Sequence, residues 1–284
     1  MKNTMKKPVA IPVEKLHPFD GHPFKVKDDD EMNTLIESIQ TQGILSPLIV
    51  RPIEHTDEYE VISGHRRLHA AQKAGITEVP ALIYALDRDA AAIAVVDSNL
   101  HRDHILPSEK AFAYKLKRDA MAHQGRTSPQ LGEKSLTVEK IGAETGDSKN
   151  QVLRYIRLTH LIPELLDLMD EGKIALMVGE ALSYLGDEEQ YAVLEQCEIN
   201  DCTPSYAQAV EMKKRYQDEN LTAENISEIL SREKANQRET IKIPTEKLRK
   251  YAPNADAKQL EDFIIKACEH YRKFLIRQRN RDER

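Results

Sequence analysis

The chain has 284 residues, of which 40% are hydrophobic and 31% are charged, with no tryptophan and a formal net charge of −6. The length predicts two or three domains, and the composition is typical of a soluble, helix-rich protein. It excludes a membrane span, because no run of about 18 apolar residues occurs, and no apolar segment follows the basic N-terminus as a secretory signal would require. The scattered thiols of Cys197, Cys202 and Cys268 match no zinc or disulfide spacing, so we expect a cytoplasmic protein with reduced cysteines.

The charge is unevenly distributed along the chain. Residues 101–160 hold 11 Lys+Arg against 7 Asp+Glu, whereas residues 161–216 hold 4 against 12. Phosphate contacts supply most of the sequence-independent affinity for DNA. A nucleic-acid contact is therefore expected in the positive window, and the acidic remainder would keep that contact local.

The first hundred residues are predicted to form a small α/β unit. A strand and turn are predicted at Val9–Leu16, and strands are predicted at Leu48–Arg51, Tyr59–Ile62 and Val79–Tyr84. Helices are predicted at Asp30–Gln42, His65–Ala74 and Asp89–Asn99. The first of these helices carries apolar residues at helical spacing and is stopped by Gly43.

From Pro107 onward the pattern becomes helical. Ser108 is predicted to cap a helix that runs to about His123, and the polar residues 125–135 are predicted to form a loop. Further helices are predicted at 138–145, 148–158, 163–171, 175–185, 187–197 and 204–218, and the charged segment 218–240 is predicted to be a linker with one short helix.

Apolar residues recur at heptad-like spacing near the C-terminus. They are Leu260, Ile264, Ala267, Tyr271 and Phe274, and a basic tail follows them. Such a stripe forms either an intramolecular core or a dimer seam, and the spacing by itself leaves the two alternatives open.

Residues 137–157 carry the signals of a helix-turn-helix. Thr137 and Ser148 are predicted N-caps, Gly142 is small where the two helices cross, and Gly146 supplies the turn. Val152 and Ile156 are expected to pack on Ile141.

The outward side chains of the second helix suit base and phosphate recognition. We assign DNA binding to Thr137, Ser148, Lys149, Asn150, Gln151 and Arg154. Arg and Lys can donate to guanine or phosphate, and Asn and Gln can bond adenine edges in the major groove. The alternative is an ordinary helical hairpin with a polar outer face.

A second motif joins the strand at Tyr59–Ile62 to the following helix through Gly64, His65, Arg66 and Arg67. Glycine permits a positive φ, a helix N-terminus attracts anions, and two arginines add phosphate-binding forks. This combination predicts a phosphate cradle, with surface salt bridges as the alternative.

The histidine pairs of this region raise the alternative of a metal site. The pairs are His65 with His69 and His101 with His104. No nearby carboxylate or cysteine completes a recognised pattern, which favours solvated or capping histidines.

Together these residues resemble the ParB/Noc (Spo0J-like) partition family over residues 8–215. The segments that carry the resemblance are 42–51 (QGILSPLIVR), 62–71 (ISGHRRLHAA), 79–81 (VPA), 98–102 (SNLHR), 108–111 (SEKA), the helix-turn-helix and 161–163 (LIP). Their order and spacing over some 200 residues are more specific than any single motif.

The resemblance implies an α+β architecture of three parts. Residues 1–104 would form a ParB/sulfiredoxin-like nucleotide-binding domain, residues 105–218 a helical DNA-reading domain, and residues 219–284 a charged linker with a helical, dimerising end. It also implies binding of CTP with Mg²⁺, a ParA-type ATPase partner, a homodimer on double-stranded DNA, and an action in plasmid, mobile-element or chromosome partition at the nucleoid.

The resemblance assigns nucleotide binding to Gly64, His65, Arg66, Arg67, Asn99 and Arg102, and a metal contact to Asn99. The chain departs from the family at three of the positions concerned: His65 and Ser98 each replace a Glu, and Lys25 stands where an early-loop Arg is expected. Because the Glu replaced by Ser98 is the family's metal-associated residue, CTP hydrolysis stays open, and no catalytic residue is assigned.

Two other functions are compatible with the sequence. One is a transcriptional regulator on the same fold that uses no nucleotide. The other is a nucleotide-dependent enzyme on the N-terminal fold, for which Glu60 and Asp97 are the loose candidates. Sulfiredoxin-like chemistry is nearly excluded, because residues 1–196 contain no cysteine.

Overall fold

The computed structural model describes residues 7–102, 104–124, 133–232, 248–253 and 257–282. The described residues up to Arg232 form one compact unit and those after it form a second. The first unit combines a sheet with helices, and the second is helical. The predicted fold class, α+β, is confirmed.

A five-stranded mixed sheet organises the N-terminal part of the first unit. Its strands are β1 (Val9–Pro12), β2 (Leu16–Pro18), β3 (Leu48–Pro52), β4 (Tyr59–Ser63) and β5 (Glu78–Ile83), in the spatial order β1-β5-β3-β4-β2. The β1–β5 and β3–β4 pairs are antiparallel, and the β5–β3 and β4–β2 pairs are parallel. The strand and turn predicted over Val9–Leu16 are β1 and a short 3₁₀ turn at Val13–Lys15, and a second strand, β2, begins at Leu16.

Two helices pack together beside this sheet. Helix α1 (Asp30–Gln42) has the predicted bounds, with Asp29 accepting a hydrogen bond from the Met32 backbone as N-cap. Helix α2 (His65–Lys73) contacts α1, and Met32 and Ile39 of α1 are buried with Ala70 of α2. The core between the sheet and α2 consists of Ile11, Leu16, Leu48, Val50, Val61, Leu68, Ala71, Val79 and Ala81.

Helices α3 (Arg88–Asp97) and α4 (Pro107–Gln124) connect the sheet to the helical part. The prediction that Ser108 caps α4 is wrong, because the helix already begins at Pro107. Proline fits the first helical position, where no backbone donor is needed. Ser108 instead donates from its backbone N–H and its hydroxyl to Asp170, at 2.9 and 2.6 Å.

The helical part of the first unit continues through seven helices in the described residues. They are α5 (Glu133–Thr145), α6 (Lys149–Leu158), α7 (Pro163–Asp170), α8 (Leu176–Leu182), α9 (Asp187–Ile199), α10 (Tyr206–Gln217) and α11 (Ala223–Ser231). Helix α11 buries Ile226, Ile229 and Leu230 in the core that α7 to α10 share. Most of the predicted loop 125–135 lies outside the described residues, while its last three residues begin α5.

The second unit contains α12 (Ala257–Asp282), which includes the heptad-like stripe. Leu260 is buried, whereas Tyr271 and Phe274 are 61% and 47% exposed. Their rings stack with centroids 6.3 Å apart. Among the helices described, none combines the length and apolar character needed to cross a membrane.

Candidate functional site

The turn at Gly64 is built for close packing. Gly64 has φ +107° and caps α2 directly after β4. A Cβ atom there would lie 3.0 Å from Arg67 Nη2 and 3.0 Å from Leu48 Cγ. Arg67 donates from Nη1 to the Pro47 carbonyl at 3.0 Å and to the Ser46 carbonyl. The glycine therefore lets the Arg67 guanidinium brace the segment that leads into β3.

Two histidines close one side of this turn. The rings of His22 and His65 lie 3.7 Å apart, and the Phe19 backbone N–H points at His65 Nε2 from 3.4 Å. His22 Nδ1 lies 2.9 Å from the Phe24 carbonyl oxygen. The other ring nitrogen of His22, Nε2, is shielded from solvent and has no hydrogen-bond partner within the described part of the chain.

These surroundings keep His65 uncharged. Burial lowers the pKa of His65 to about 3, and the nearby His22 and Arg102 act in the same direction. Burial also lowers the pKa of His22. An anion placed here would reverse part of this effect, since a negative charge favours the protonated imidazole.

Arg66 and Arg102 bring positive charge to the same place. Arg66 contacts Glu31 at 3.2 Å and Asp29 at 3.6 Å, and its exposed fraction is 36%. Arg102 lies over the Phe24 ring, 5.6 Å from its centroid. Burial lowers the pKa of Arg102, the Glu109 carboxylate opposes this effect, and repulsion from Arg66 adds to it.

Asn99 connects to Arg102 through the backbone. The Arg102 N–H donates to the Asn99 carbonyl at 3.2 Å. The Asn99 side chain is buried, and its amide nitrogen donates to the Val95 carbonyl at 2.7 Å and to the Ser98 hydroxyl at 3.1 Å.

His65, Arg66 and Arg102 are thus close enough to influence one another electrostatically, with Gly64 and Arg67 at the adjoining turn. We call the group formed by Gly64, His65, Arg66, Arg67, Asn99 and Arg102, together with His22 and Phe24, the cationic turn. Because its three arginines make this half-buried cluster positively charged, the cationic turn favours an anionic ligand.

Sequence reasoning missed His22 and Phe24. The signal that could have found them is a doubled tripeptide, His-Pro-Phe, at 17–19 and again at 22–24. Lys25 stands where the family resemblance leads us to expect an early-loop arginine. Its ammonium group instead pairs with Asp167 and Asp170 of α7, at 3.1 and 3.2 Å.

The histidine pairs do not assemble a metal centre in the residues that the structure describes. No group of three or more His, Cys, Asp or Glu side chains converges there. His69 contacts Asp28 at 2.8 Å, and Lys73 contacts the same carboxylate at 2.6 Å. This agrees with the ordinary surface role favoured for His69.

Helices α5 and α6 form the predicted helix-turn-helix. Val138 and Ile141 of α5 are buried against Val152 and Ile156 of α6, with Tyr114 of α4 in the same cluster. The prediction that Val152 and Ile156 pack on Ile141 is confirmed.

The turn between α5 and α6 also has the predicted geometry. A Cβ atom on Gly142 would lie 2.4 Å from the Asp147 carbonyl oxygen, and Gly146 has φ +77°. Ser148 caps α6 by accepting from the Gln151 N–H at 3.2 Å. The Asp147 carboxylate holds the turn to α4 by accepting from Tyr114 Oη and Lys110 Nζ, each at 2.6 Å.

Thr137 does not cap α5, so that prediction is wrong. The helix begins at Glu133, and Thr137 lies inside it as a half-buried residue. The segment Glu133-Lys134-Ser135 contains no glycine or proline that would prevent a helix from starting earlier.

The remaining outward residues lie at the N-terminal part of α6. Lys149 pairs with Glu139 at 2.9 Å, and Arg154 pairs with Glu180 at 3.1 Å. Asn150 is exposed and Gln151 is half-buried. Asn150 and Arg154 lie on the side of α6 opposite Val152 and Ile156, as a recognition helix requires. Lys149 precedes Val152 by three positions, so it lies at the N-terminal end of the packed side, next to Glu139 of α5.

Comparison with known proteins identifies the family. Residues 1–100 match the family described as the ParB N-terminal domain. The chain is 33% identical over 183 residues to the chromosome-partitioning protein Spo0J of Thermus thermophilus, a match that covers 64% of this chain and 62% of that protein. It is 30% identical over 206 residues to the probable chromosome 1-partitioning protein ParB of Deinococcus radiodurans, with 72% and 66% covered.

The chain belongs to the ParB family. Its matches span somewhat less than two thirds of the lengths of these ParB relatives. The matched ParB N-terminal domain contains the whole sheet and most of the cationic turn, and the longer matches show that the similarity extends into the helical part.

Two solved structures of a C-terminally truncated ParB from Caulobacter crescentus are also similar. One, complexed to the centromeric parS site, has 23% identity and a TM-score of 0.41 over 78% of this chain and 98% of that one. The other, complexed with CTP-gamma-S, has 27% identity and a TM-score of 0.32 over 66% and 97%.

Proposed function

We propose that this chain is a DNA-binding partition protein that reads duplex DNA through α6. The observation that carries the proposal is the arrangement of α6. One face is fixed by Val152 and Ile156 against α4 and α5, and the opposite face presents Asn150 and Arg154, with Lys149 at the N-terminal end of the helix beside Glu139 of α5. The curated relatives are named for chromosome partitioning, which is the biological role that we propose here.

The outward side chains of α6 have complementary tasks. Asn150 and Gln151 are suited to adenine edges, and Lys149 and Arg154 to guanine or phosphate. Ser148 lies at the N-terminus of α6, where backbone donors favour a phosphate, and we assign Thr137 to the flanking backbone. The pairs Lys149–Glu139 and Arg154–Glu180 are partly exposed, so each carboxylate can give way to a DNA group at little cost.

We further propose that the cationic turn binds the phosphates of a nucleotide, which the family membership points to as CTP. Two features fit phosphate: the N-terminus of α2 behind Gly64, and the guanidinium groups of Arg66 and Arg102. The Phe24 carbonyl accepts from Nδ1 of His22, so the unpartnered Nε2 is an acceptor in the neutral ring and donates to a phosphate only when the anion holds His22 protonated. The nucleotide would displace Glu31 and Asp29 from Arg66, as these contacts are exposed.

The fit to a protein-held magnesium ion is weaker. Ser98 provides no carboxylate, and both N–H bonds of the Asn99 amide are directed within the chain, which leaves the Asn99 amide oxygen to approach a cation. Protein magnesium sites usually combine one or two carboxylates with substrate phosphates. We therefore propose that any Mg²⁺ is carried chiefly by the nucleotide, with Asn99 as a contact, and we assign no hydrolytic step.

The remaining partners follow from the same reading. We propose a homodimer formed through α12, because Tyr271 and Phe274 of its heptad-like stripe are exposed and paired half-sites require two reading helices. A ParA-type ATPase is the proposed segregation partner, and the nucleoid in the cytoplasm is the proposed site of action. The sequence of the DNA that the protein binds would identify the replicon that it serves, whether chromosome, plasmid or mobile element.

The enzyme alternative has less support. Glu60 is 5% exposed and is occupied by Arg51 Nε at 2.6 Å and the Asp20 N–H at 2.9 Å. Asp97 is paired with Lys117. Both acids considered for the nucleotide-dependent enzyme are therefore held in ion pairs.

The DNA proposal is tested by selecting sheared genomic DNA of the source organism with the purified full chain, in excess nonspecific competitor. We expect enrichment of a small set of fragments that share a palindromic sequence. Uniform recovery of all fragments, or none at low salt, would overturn it.

Calorimetry with CTP, ATP and GTP, with and without Mg²⁺, tests the nucleotide proposal. We expect selective CTP binding that Arg66→Ala abolishes, with Arg118→Ala as the control because Arg118 contacts Asp119 outside the cationic turn. No heat with any nucleotide, alongside specific DNA selection, would favour the ParB-fold regulator that works without a nucleotide.

A further inference from the structure

One side of α10 lines a cleft beside the DNA-reading part of the molecule. The cleft has a volume of about 210 Å³ and lies between α8 and α10. Tyr206, Val210, Lys213, Lys214 and Gln217 line it at helical spacing from α10, and Glu180 lines it from α8. Because Glu180 also pairs with Arg154 at 3.1 Å, this cleft begins directly beside the outward face of α6.

Positively charged side chains of α6 and α10 meet at the ring of Tyr184. Arg157, one helical turn beyond the outward residues of α6, lies 4.2 Å from the centroid of the Tyr184 ring. Its guanidinium also donates to the Ser183 carbonyl at 2.7 Å. Lys213 of α10 lies 3.4 Å from the centroid of the same ring. One aromatic ring therefore holds a cation from each helix.

The lysines of this cleft are not neutralised by nearby acids. In the part of the chain that the structure describes, neither Lys213 nor Lys214 forms an ion pair. Glu211 of α10 is engaged by Arg215 at 2.7 Å and by Arg232 at 3.1 Å, and Glu180 is engaged by Arg154 as long as DNA has not taken over the Arg154 guanidinium. The acidic overall charge of residues 161–216 conceals this local excess of positive charge.

We propose that the DNA footprint extends beyond the helix-turn-helix onto α10, where Lys213 and Lys214 contact the phosphate backbone. The inference rests on the proposed function, since it adds a second contact to the same duplex. Lysine is a point charge that binds phosphate without reading bases. The α10 surface therefore contributes affinity and register, while discrimination between sequences stays with α6.

The test is fluorescence anisotropy of the full-length chain on a selected genomic fragment and on a random duplex, across a range of salt concentrations. We expect Lys213→Ala/Lys214→Ala to weaken binding by the same factor on both duplexes. For the double variant, the plot of log affinity against log salt concentration should be less steep, by about 1 in slope for each phosphate contact removed. Lys173→Ala is the control, because Lys173 is an exposed lysine that pairs with Glu171 at 2.7 Å.

Each result assigns success or failure to a separate claim. If the wild-type chain binds the selected fragment and the double variant keeps its affinity and salt slope, the α10 proposal is wrong and the proposed function stands. If the wild-type chain binds neither duplex, the proposed function itself fails. Lys213→Gln/Lys214→Gln, with an unfolding midpoint matched to wild type, guards against a folding defect, and it should show the same loss.

Discussion

The imidazole rings of His22 and His65 are in contact, with their centroids 3.7 Å apart and their planes tilted by 37°. His65 follows Gly64 at the start of α2, and His22 lies in the loop after β2, so the contact joins two segments 43 positions apart in the chain. Burial lowers the pKa of both rings, and for His65 the pKa reaches about 3. The folded protein therefore holds two neutral imidazoles where an unfolded chain would protonate them in mild acid.

This contact predicts a loss of stability in mild acid. Below about pH 6.5 the unfolded chain takes up protons that the folded chain refuses, so the free energy of unfolding falls as the pH falls towards 3. The slope from each histidine reaches at most about 1.4 kcal/mol per pH unit. Urea unfolding at pH 7.5, 6.0 and 5.0 measures how the free energy of unfolding changes with pH.

The His65→Gln variant separates this effect from the titration of carboxylates. Its stability should fall less steeply with acid than that of the wild type, while the exposed His104→Gln control should follow the wild type. Identical pH dependence in wild type and His65→Gln would show that His65 titrates normally in the folded state.

Replacing Gly64 with alanine should damage the cationic turn. The new methyl group meets Arg67 and Leu48 at 3.0 Å, and φ +107° is strained for any L-residue. We expect a loss of roughly 1–3 kcal/mol in unfolding free energy and weaker nucleotide binding. Gly75→Ala is the matched control, because its φ is +73° but no atom lies within 4 Å of the added Cβ. Equal losses in the two variants would mean that packing at Gly64 contributes nothing.

Replacing Gly142 with alanine tests the crossing of α5 and α6. In an ordinary helix this change stabilises by about 1 kcal/mol, but here the added Cβ would lie 2.4 Å from the Asp147 carbonyl oxygen. We expect destabilisation and weaker DNA binding, because α6 must move. An unchanged or raised unfolding midpoint in thermal melts would contradict this packing.

Lys117 joins the end of α3 to the helix-turn-helix. The side chain is 2% exposed, and its ammonium group bonds both Asp97 of α3 and Glu144 of α5. Burial alone would lower the pKa of Lys117, but the two carboxylates outweigh burial and raise it. The cation therefore stays charged between α5 of the helix-turn-helix and the end of α3, two residues before Asn99 of the cationic turn.

Lys117→Met should destabilise the chain by roughly 1–3 kcal/mol. The value falls below that for a fully buried pair, because the carboxylates of Asp97 and Glu144 are about half exposed and can be rehydrated. Adding Asp97→Asn and Glu144→Gln should recover part of the loss, since the repulsion between the acids disappears. Urea unfolding of the single and triple variants measures this recovery of the free energy of unfolding. If the triple variant is no more stable than Lys117→Met, Lys117 acts by packing alone.

Much of the fold was predictable because local signals and packing agree. Helix α1 ends at Gly43 as expected, and the packing of Ile141 on Val152 and Ile156 follows from simple helical spacing. The caps at Thr137 and Ser108 were predicted wrongly for a different reason. A good cap residue shows where a helix is able to start, but Glu133 and Pro107 start these helices earlier.

The candidate sites were less accessible to sequence reasoning. The contact of His22 with His65 and the pairing of Lys25 with Asp170 join positions far apart in the chain. No periodicity encodes such pairs, and they form when the sheet and α7 are folded together. The role proposed for Lys213 could not be predicted for a similar reason. Residues 161–216 are acidic overall, and the sequence does not show that Glu180 and Glu211 are paired with arginines.

The central claim, that α6 reads DNA sequence, is tested most directly by comparing wild type with Asn150→Ala/Arg154→Ala in anisotropy on the selected fragment and on random DNA. Each base contact is worth about 1–3 kcal/mol of discrimination, so we expect the variant to lose at least about tenfold of the preference while it keeps most of its affinity for random DNA. A variant that keeps the full preference, with wild-type affinity for the selected fragment, would show that α6 is not the reading helix.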